Sequence, residues 1–428
     1  MSARLHKILI MGSVGNVLEW YDFALYGYFA PVLATLFFPG DSALASLLST
    51  FGVFAIGFFA RPLGAVLFGH VGDTCSRRTA LVWSVMLMAV PTCLLGLLPT
   101  HDEIGVAAPL LLILLRLLQG LSVGGEFVGS MAFLVEHAPV GRRGYAGSWS
   151  EFSAQVGILL GSGTSALLAA TLSHEALYAW GWRVPFLLGV LVALVAVYMR
   201  TGIEESPEFE RLKKTETVPR FPLLEVLRHR RAELAQAVGI ILLYAASFYL
   251  VFVYLITYES RVLAYPLGLA MVSNTLGLAV FAILVPVMGA LSDRVGRRAP
   301  LLVGAAGLFL LAYPLFTLLE RQTFAAILGA QLTFALLVAC YAGPMCATVA
   351  ELFPPQGRYT GLSVAYNLAL ALFGGTVPLV ATFLIERSGS VMAPGWYLLA
   401  CAVVSGATVL YAVPPFWRRE VVEAPVSE

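Results

Sequence analysis

The sequence predicts an all-α polytopic membrane protein, with twelve transmembrane helices arranged as two pseudo-symmetric six-helix bundles. Composition, the spacing of apolar runs and an internal repeat carry that reading. Of the 428 residues, 59% are hydrophobic and only 12% charged, and the mean hydropathy is +0.85. Soluble domains carry roughly 25% charge, so this chain meets lipid over much of its length. The net charge of +1 says nothing about nucleic acid, and no basic tract suggests it as a partner. The partner is the bilayer.

The start, MSARLHK, runs straight into an apolar stretch without a small-residue cleavage site, which predicts an uncleaved first helix and not a signal peptide. Cys75, Cys93, Cys340, Cys346 and Cys401 are scattered, with no CxxC and no disulfide framework. The six histidines lack ligand spacing, so neither a metal nor a cofactor is expected.

Apolar runs between charged or Gly/Pro breaks give spans at 8–37, 43–70, 79–98, 106–135, 145–170 and 183–200, then 235–258, 266–291, 300–319, 323–349, 360–385 and 394–415. Each approaches or exceeds the ~20 apolar residues that cross a bilayer core. The one long polar segment lies between spans six and seven. It defines a first bundle at 1–200, a cytoplasmic linker at 201–234 and a second bundle at 235–428. With both termini cytoplasmic, 20 of the 26 Lys and Arg fall inside; Arg183, Arg261, Arg321 and Arg387 fall outside, and Arg61 and Arg116 lie within spans. That bias sets the orientation.

The halves repeat. GHVGDTCSRR (Gly69–Arg78) follows span two, and GALSDRVGRR (Gly289–Arg298) follows span eight, 220 positions later. Glu136 ends span four and Glu351 ends span ten, 215 apart. A shared offset of this kind predicts parallel repeats about an axis along the membrane normal.

These loops resemble the major facilitator superfamily signature G-x-x-x-D-R-x-G-R-R. Gly289, Asp293, Arg294, Gly296, Arg297 and Arg298 match it in full, whereas Thr74 and Ser76 replace the arginine and glycine of the first copy. The departure predicts a weaker first copy. Within that superfamily the chain is similar to the metabolite:proton symporters, through GNVLEWYDF, FFARPLGAVLFG, RLLQGLSVGGE, GWRVPFLLG and AYNLALALFGGTVPLVATFLIE. LFFPGDSALASLL, FYLVFVYLITY and IERSGSVMAPGWY look most like the citrate and tricarballylate members. Betaine and proline members with an osmosensory role end in a long coiled-coil tail. This chain stops soon after its last span, which disfavours that role.

The resemblance implies the major facilitator fold and proton-coupled symport by alternating access, in a bacterial inner membrane, by a protein expected to be monomeric. The expected substrate is a small carboxylated metabolite, with citrate in the lead. A dicarboxylate such as 2-oxoglutarate is the alternative, followed by a zwitterion such as proline or betaine. The site is expected near the midplane. No nucleophile, metal or cofactor group points to an enzyme. A non-transporting sensor would need a larger cytoplasmic domain than the linker supplies.

Charged residues within spans mark the candidate site, because lipid does not solvate them. Asn16, Glu19, Asp22 and Tyr26 are spaced 3, 3 and 4 and share one helix face, as do Arg116, Gln119, Val123 and Glu126 at 3, 4 and 3. Asp22 with Arg116 reads either as a proton site or as a permanent brace between spans one and four. Related sugar–proton symporters have an aspartate and an arginine at what look like the same two places. Arg61 reads either as a clamp for a substrate carboxylate, which guanidinium meets bidentately, or as a fixed partner of Glu19 or Glu126. Those two glutamates read as second proton carriers or as structural partners.

Further candidates for the substrate are Gln155, Tyr244, Tyr249, Tyr254, Asn274, Tyr341 and Asn367. GLSVGGE and LFGGT read as close helix packing. Asp73, Glu136, Arg142, Asp293, Arg297, Arg298, Glu351 and Arg358 sit at helix ends. They read as solvated loop charges or, as the resemblance implies, as the latch that closes the cytoplasmic side.

Overall fold

Among the described residues, twelve long helices account for the predicted spans: α1 (Ala3–Tyr28), α2 (Ala43–Thr74), α3 (Arg77–Leu97), α4 (Ala107–His137), α5 (Arg143–Thr171), α6 (Arg183–Thr201), α7 (Arg231–Val262), α8 (Leu267–Val295), α9 (Arg298–Leu319), α10 (Phe324–Leu352), α11 (Arg358–Ser388) and α12 (Ala393–Ala412). The computed structural model describes residues 3–40, 43–201, 210 and 222–415. Most of the predicted linker, at 202–209 and 211–221, lies outside the described residues. Its far end forms a short helix, Pro222–His229, with Val226 buried.

Among the described residues, α3, α4, α5 and α7 to α12 are long and apolar enough to cross a membrane. α1 is not one of them, because Asn16, Glu19, Asp22 and its tyrosines lower its hydropathy. A shorter helix, Ala30–Phe37, continues α1 and ends with the Phe37 ring edge-on to Trp182 at 5.7 Å.

The chain forms two compact units. The first holds Met1–His137, Ser153–Arg228 and Pro355–Val364. The second holds Ala138–Phe152, His229–Pro354 and Ala365–Glu428. The opening turns of α5 therefore group with the second-half helices, and those of α11 with the first-half helices.

In the first unit, α2 and α4 approach until their backbones touch. A Cβ on Gly120 would strike the Gly57 carbonyl oxygen, one on Gly124 the Arg61 carbonyl oxygen, and one on Gly64 the Leu121 carbonyl oxygen. Small residues at these positions let helices associate by dispersion where lipid offers no hydrophobic drive. The contact fixes the height of Arg61 against Arg116 and Glu126.

In the second unit, α7 contains two π turns, Leu250–Tyr254 and Tyr258–Val262, and α11 contains one at Leu370–Gly374. A π turn misaligns the helical ladder and leaves carbonyls in want of donors. Here Gln331 donates to the Val251 carbonyl at 3.2 Å and Asn274 to the Phe252 carbonyl at 3.3 Å.

Candidate substrate and proton site

In the first unit, α1, α3 and α4 bring four polar side chains together. Arg116 donates from Nη1 to Asp22 Oδ2 at 2.7 Å. Gln119, one turn on, donates from Nε2 to Asp22 Oδ1 at 3.0 Å and to Thr92 Oγ1 at 2.8 Å. The Thr92 hydroxyl reaches Asp22 Oδ1 at 3.0 Å and the Met88 carbonyl at 2.9 Å. Having one proton, it serves one acceptor at a time. Asp22 is wholly buried.

Arg116 is not satisfied by this arrangement. Its guanidinium lies 3.7 Å above the Tyr26 ring centre, a cation–π contact. The Tyr26 hydroxyl is turned away and donates to the Thr50 carbonyl at 3.0 Å. Nε and Nη2 of Arg116 and Oε1 of Gln119 are buried without a hydrogen-bond partner among the described residues. A buried guanidinium with unmet N–H groups is a ready receptor for a carboxylate.

Glu19, Arg61 and Glu126 are buried in the same unit. Glu126 accepts a hydrogen bond from the Ser84 hydroxyl, and the Ser84 carbonyl accepts from Ser122 at 2.6 Å. Asn16 serves the scaffold: its amide donates to Ser130 at 3.1 Å and to Ser153 at 3.3 Å, tying α1 to α4 and α5. Gln155 is buried, with Oε1 unpartnered among the described residues.

Several second-half candidates are held by their own bundle. Asn274 caps the π turn of α7 and accepts from Gln331 at 2.9 Å. Tyr341 donates to the Ile240 carbonyl at 2.9 Å. Tyr254 accepts from Thr382 at 3.4 Å, and Tyr249 packs on Gly374. Asn367 is buried. The hydroxyls and amides of Asn274 and Tyr341 thus answer backbone carbonyls, a demand invisible to span-by-span reading.

The loop charges form two sets. In the first unit, Asp73 accepts the backbone N–H groups of Tyr359 and Thr360 at 3.2 and 2.8 Å and pairs with Arg77. Arg77 also reaches Glu136 at 3.6 Å and the Pro355 carbonyl at 3.1 Å, and Arg358 reaches Glu136 at 3.2 Å. In the second unit, Asp293 accepts from the backbone of Gly144 and Tyr145 at 2.8 Å each, while Arg297 pairs with Asp293 at 2.7 Å and Glu351 at 3.2 Å. Both aspartates occupy a helix N-terminus, where free N–H groups and the macrodipole favour an anion.

The first copy keeps its ion pairs despite the departures at Thr74 and Ser76. Ser76 sits in extended backbone and caps α3 by accepting from the Thr79 N–H at 3.0 Å, whereas its counterpart Gly296 takes a positive φ of 85°. The first loop turns differently, so it does not need the glycine. Among the described residues, Arg142 and Arg298 make no ion pair with the other loop charges. Arg142 is exposed, just after the Gly141 turn, and Arg298 donates to the Leu410 carbonyl at 3.1 Å.

Four partners went unread. Arg77 was legible, since the 220-residue offset sets it opposite Arg297. Glu151 was legible as a carboxylate inside span five, one turn before Gln155. Thr92 and Tyr359 carry no periodic signal in the sequence.

Helices of membrane length with paired charges buried among them are the architecture of a membrane transporter. The chain belongs to the Major Facilitator Superfamily, whose profile matches residues 12–367 and 267–427. It is 34% identical to the glycine betaine/proline/ectoine/pipecolic acid transporter OusA of Dickeya dadantii, over 95% of this chain and 83% of that one. It is likewise 34% identical to the proline/betaine transporter of Escherichia coli, over 94% of this chain and 82% of that one. The proton:xylose symporter XylE, bound to 6-bromo-6-deoxy-D-glucose, shares the fold with a TM-score of 0.77 at 18% identity, covering 97% of this chain and 95% of that one. Both relatives are named for proline and betaine, not for the citrate or tricarballylate of the leading expectation.

Proposed function

We propose that this protein is a proton-coupled symporter of a small zwitterion with one carboxylate, of the proline and betaine kind. In this reading it works by alternating access as a monomer in a bacterial inner membrane, with both termini cytoplasmic. Its two six-helix halves, 1–200 and 235–428, are joined by the linker at 201–234. The observation that carries the substrate class is Arg116, which gives one N–H to Asp22 and has two nitrogens left over.

Charge arithmetic favours a zwitterion over citrate. The membrane interior of the first unit holds Arg61 and Arg116 against Glu19, Asp22 and Glu126, so two positive charges face three carboxylates and the sum is −1 with all ionised. A tricarboxylate would add three more negative charges without compensation, which a low-dielectric interior penalises. A zwitterion adds none. Its carboxylate can take Nε and Nη2 of Arg116 as a fork.

Coupling follows from sharing one guanidinium. Ionised Asp22 offsets the charge of Arg116 and repels a substrate carboxylate brought to Nε and Nη2. A proton on Asp22 removes that repulsion, so proton and substrate bind together and leave together. The loop charges of Asp73, Glu136, Arg77 and Arg358, and of Asp293, Arg297 and Glu351, act as the cytoplasmic latch. The test is uptake of radiolabelled proline, betaine and citrate into proteoliposomes with an imposed inward proton gradient. Accumulation of proline or betaine that collapses with a protonophore is expected. Accumulation of citrate alone would overturn the substrate class.

A further inference from the structure

Glu151 lies in the opening turns of α5, in the second unit, and is 1% exposed. The Tyr244 hydroxyl of α7 donates to its Oε2 at 2.5 Å. Its Oε1 is buried with no hydrogen-bond partner among the described residues. Tyr244 on α7 and Cys346 on α10 lie in its electrostatic surroundings, and Tyr366 on α11 lies in those of Tyr244. Among the described residues, no lysine, arginine or histidine hydrogen-bonds or ion-pairs with it. Tyr244 opens an aromatic wall, with Phe248 at 5.7 Å, then Phe252 and Phe281.

Asp22 has the donors that an ionised carboxylate needs inside a bilayer: a guanidinium, an amide and a hydroxyl surround it. Glu151 has one neutral donor and one bare oxygen. An ionised carboxylate in that setting lacks the partners that offset its desolvation. A ligand for Oε1 must also be small, because Glu151 and Tyr244, the latter 4% exposed, are sealed by their neighbours. A proton meets both conditions. It bonds to Oε1, neutralises the carboxyl and leaves Oε2 as the carbonyl oxygen that accepts from Tyr244.

We propose that Glu151, held by the Tyr244 hydroxyl, is a proton-binding site of the second unit that loads and unloads separately from Asp22. The site does not rest on the identity of the substrate. Infrared pH-difference spectra of the purified full-length protein in liposomes test it, from mildly acidic to mildly alkaline pH. The wild type should show a protonated-carboxyl carbonyl band that fades as pH rises. That band should be lost in Glu151→Gln, persist in Asp22→Asn, and move to higher frequency in Tyr244→Phe, where the hydrogen bond to the carbonyl oxygen is gone. If Glu151→Gln has the wild-type difference spectrum, or the band lost there does not change with pH in the wild type, the proposal is overturned. Should Glu151→Gln fail to fold, Tyr244→Phe decides: a shifted pH-dependent band supports the site, and an unshifted set of bands overturns it.

Discussion

Asp73 accepts the backbone N–H of Thr360 at 2.8 Å, although 287 residues separate them in the chain. The same carboxylate takes the N–H of Tyr359 and the guanidinium of Arg77, so one side chain closes the N-terminus of α11. Asp293 does the same for α5 through Gly144 and Tyr145.

Asp73→Asn replaces charge-assisted hydrogen bonds, worth about 1.5–3 kcal/mol, by neutral ones. In hydrogen–deuterium exchange the Tyr359 and Thr360 amides should exchange roughly ten- to a hundredfold faster in this variant. Asp293→Asn should act likewise on Gly144 and Tyr145, and by no larger a factor. Unchanged exchange at Tyr359 and Thr360 would show that the carboxylate does not hold that end.

Gly124→Ala places a methyl against the Arg61 carbonyl, where there is no room for it. Forcing α2 from α4 should cost about 1–3 kcal/mol and lower the melting temperature of the purified protein. Gly375→Ala, whose nearest neighbours are 3.8 Å away, is the control and should melt near the wild type. Equal melting of the two variants would refute backbone contact at Gly124.

Arg116→Lys keeps the charge but removes the planar fork and weakens the stacking on Tyr26. Calorimetric affinity for proline or betaine should fall about ten- to a hundredfold, the worth of one charge-assisted hydrogen bond. Unchanged affinity would assign Arg116 to bracing α1 against α4 alone.

The polar stripe on α1 was legible because lipid leaves a helix as the main solution, and helical spacing then places Asn16, Glu19, Asp22 and Tyr26 on one face. What each group does with its hydrogen bonds was not legible. Asn16 answers Ser130 and Ser153, and Tyr26 turns its hydroxyl to Thr50 while offering its ring to Arg116. Those choices depend on neighbours far along the chain. The repeat carried more than its motif: its offset leads from Arg297 to Arg77, whereas Arg298, which also matches the motif, donates to the Leu410 carbonyl. What a charge near a helix end holds is legible only once the N–H groups it caps are known.

The central claim is that Asp22 carries a proton whose arrival frees Arg116 for substrate. Asn is nearly isosteric with Asp and cannot take up that proton. Reconstituted Asp22→Asn should therefore lose uphill uptake of proline or betaine under an inward proton gradient while still exchanging labelled for unlabelled substrate across the membrane. Exchange moves no net proton, so the pair of assays separates coupling from binding, and Glu19→Gln measured beside it should be the milder defect. If Asp22→Asn concentrates substrate under the gradient as the wild type does, Asp22 is only a brace for Arg116 and the account is contradicted.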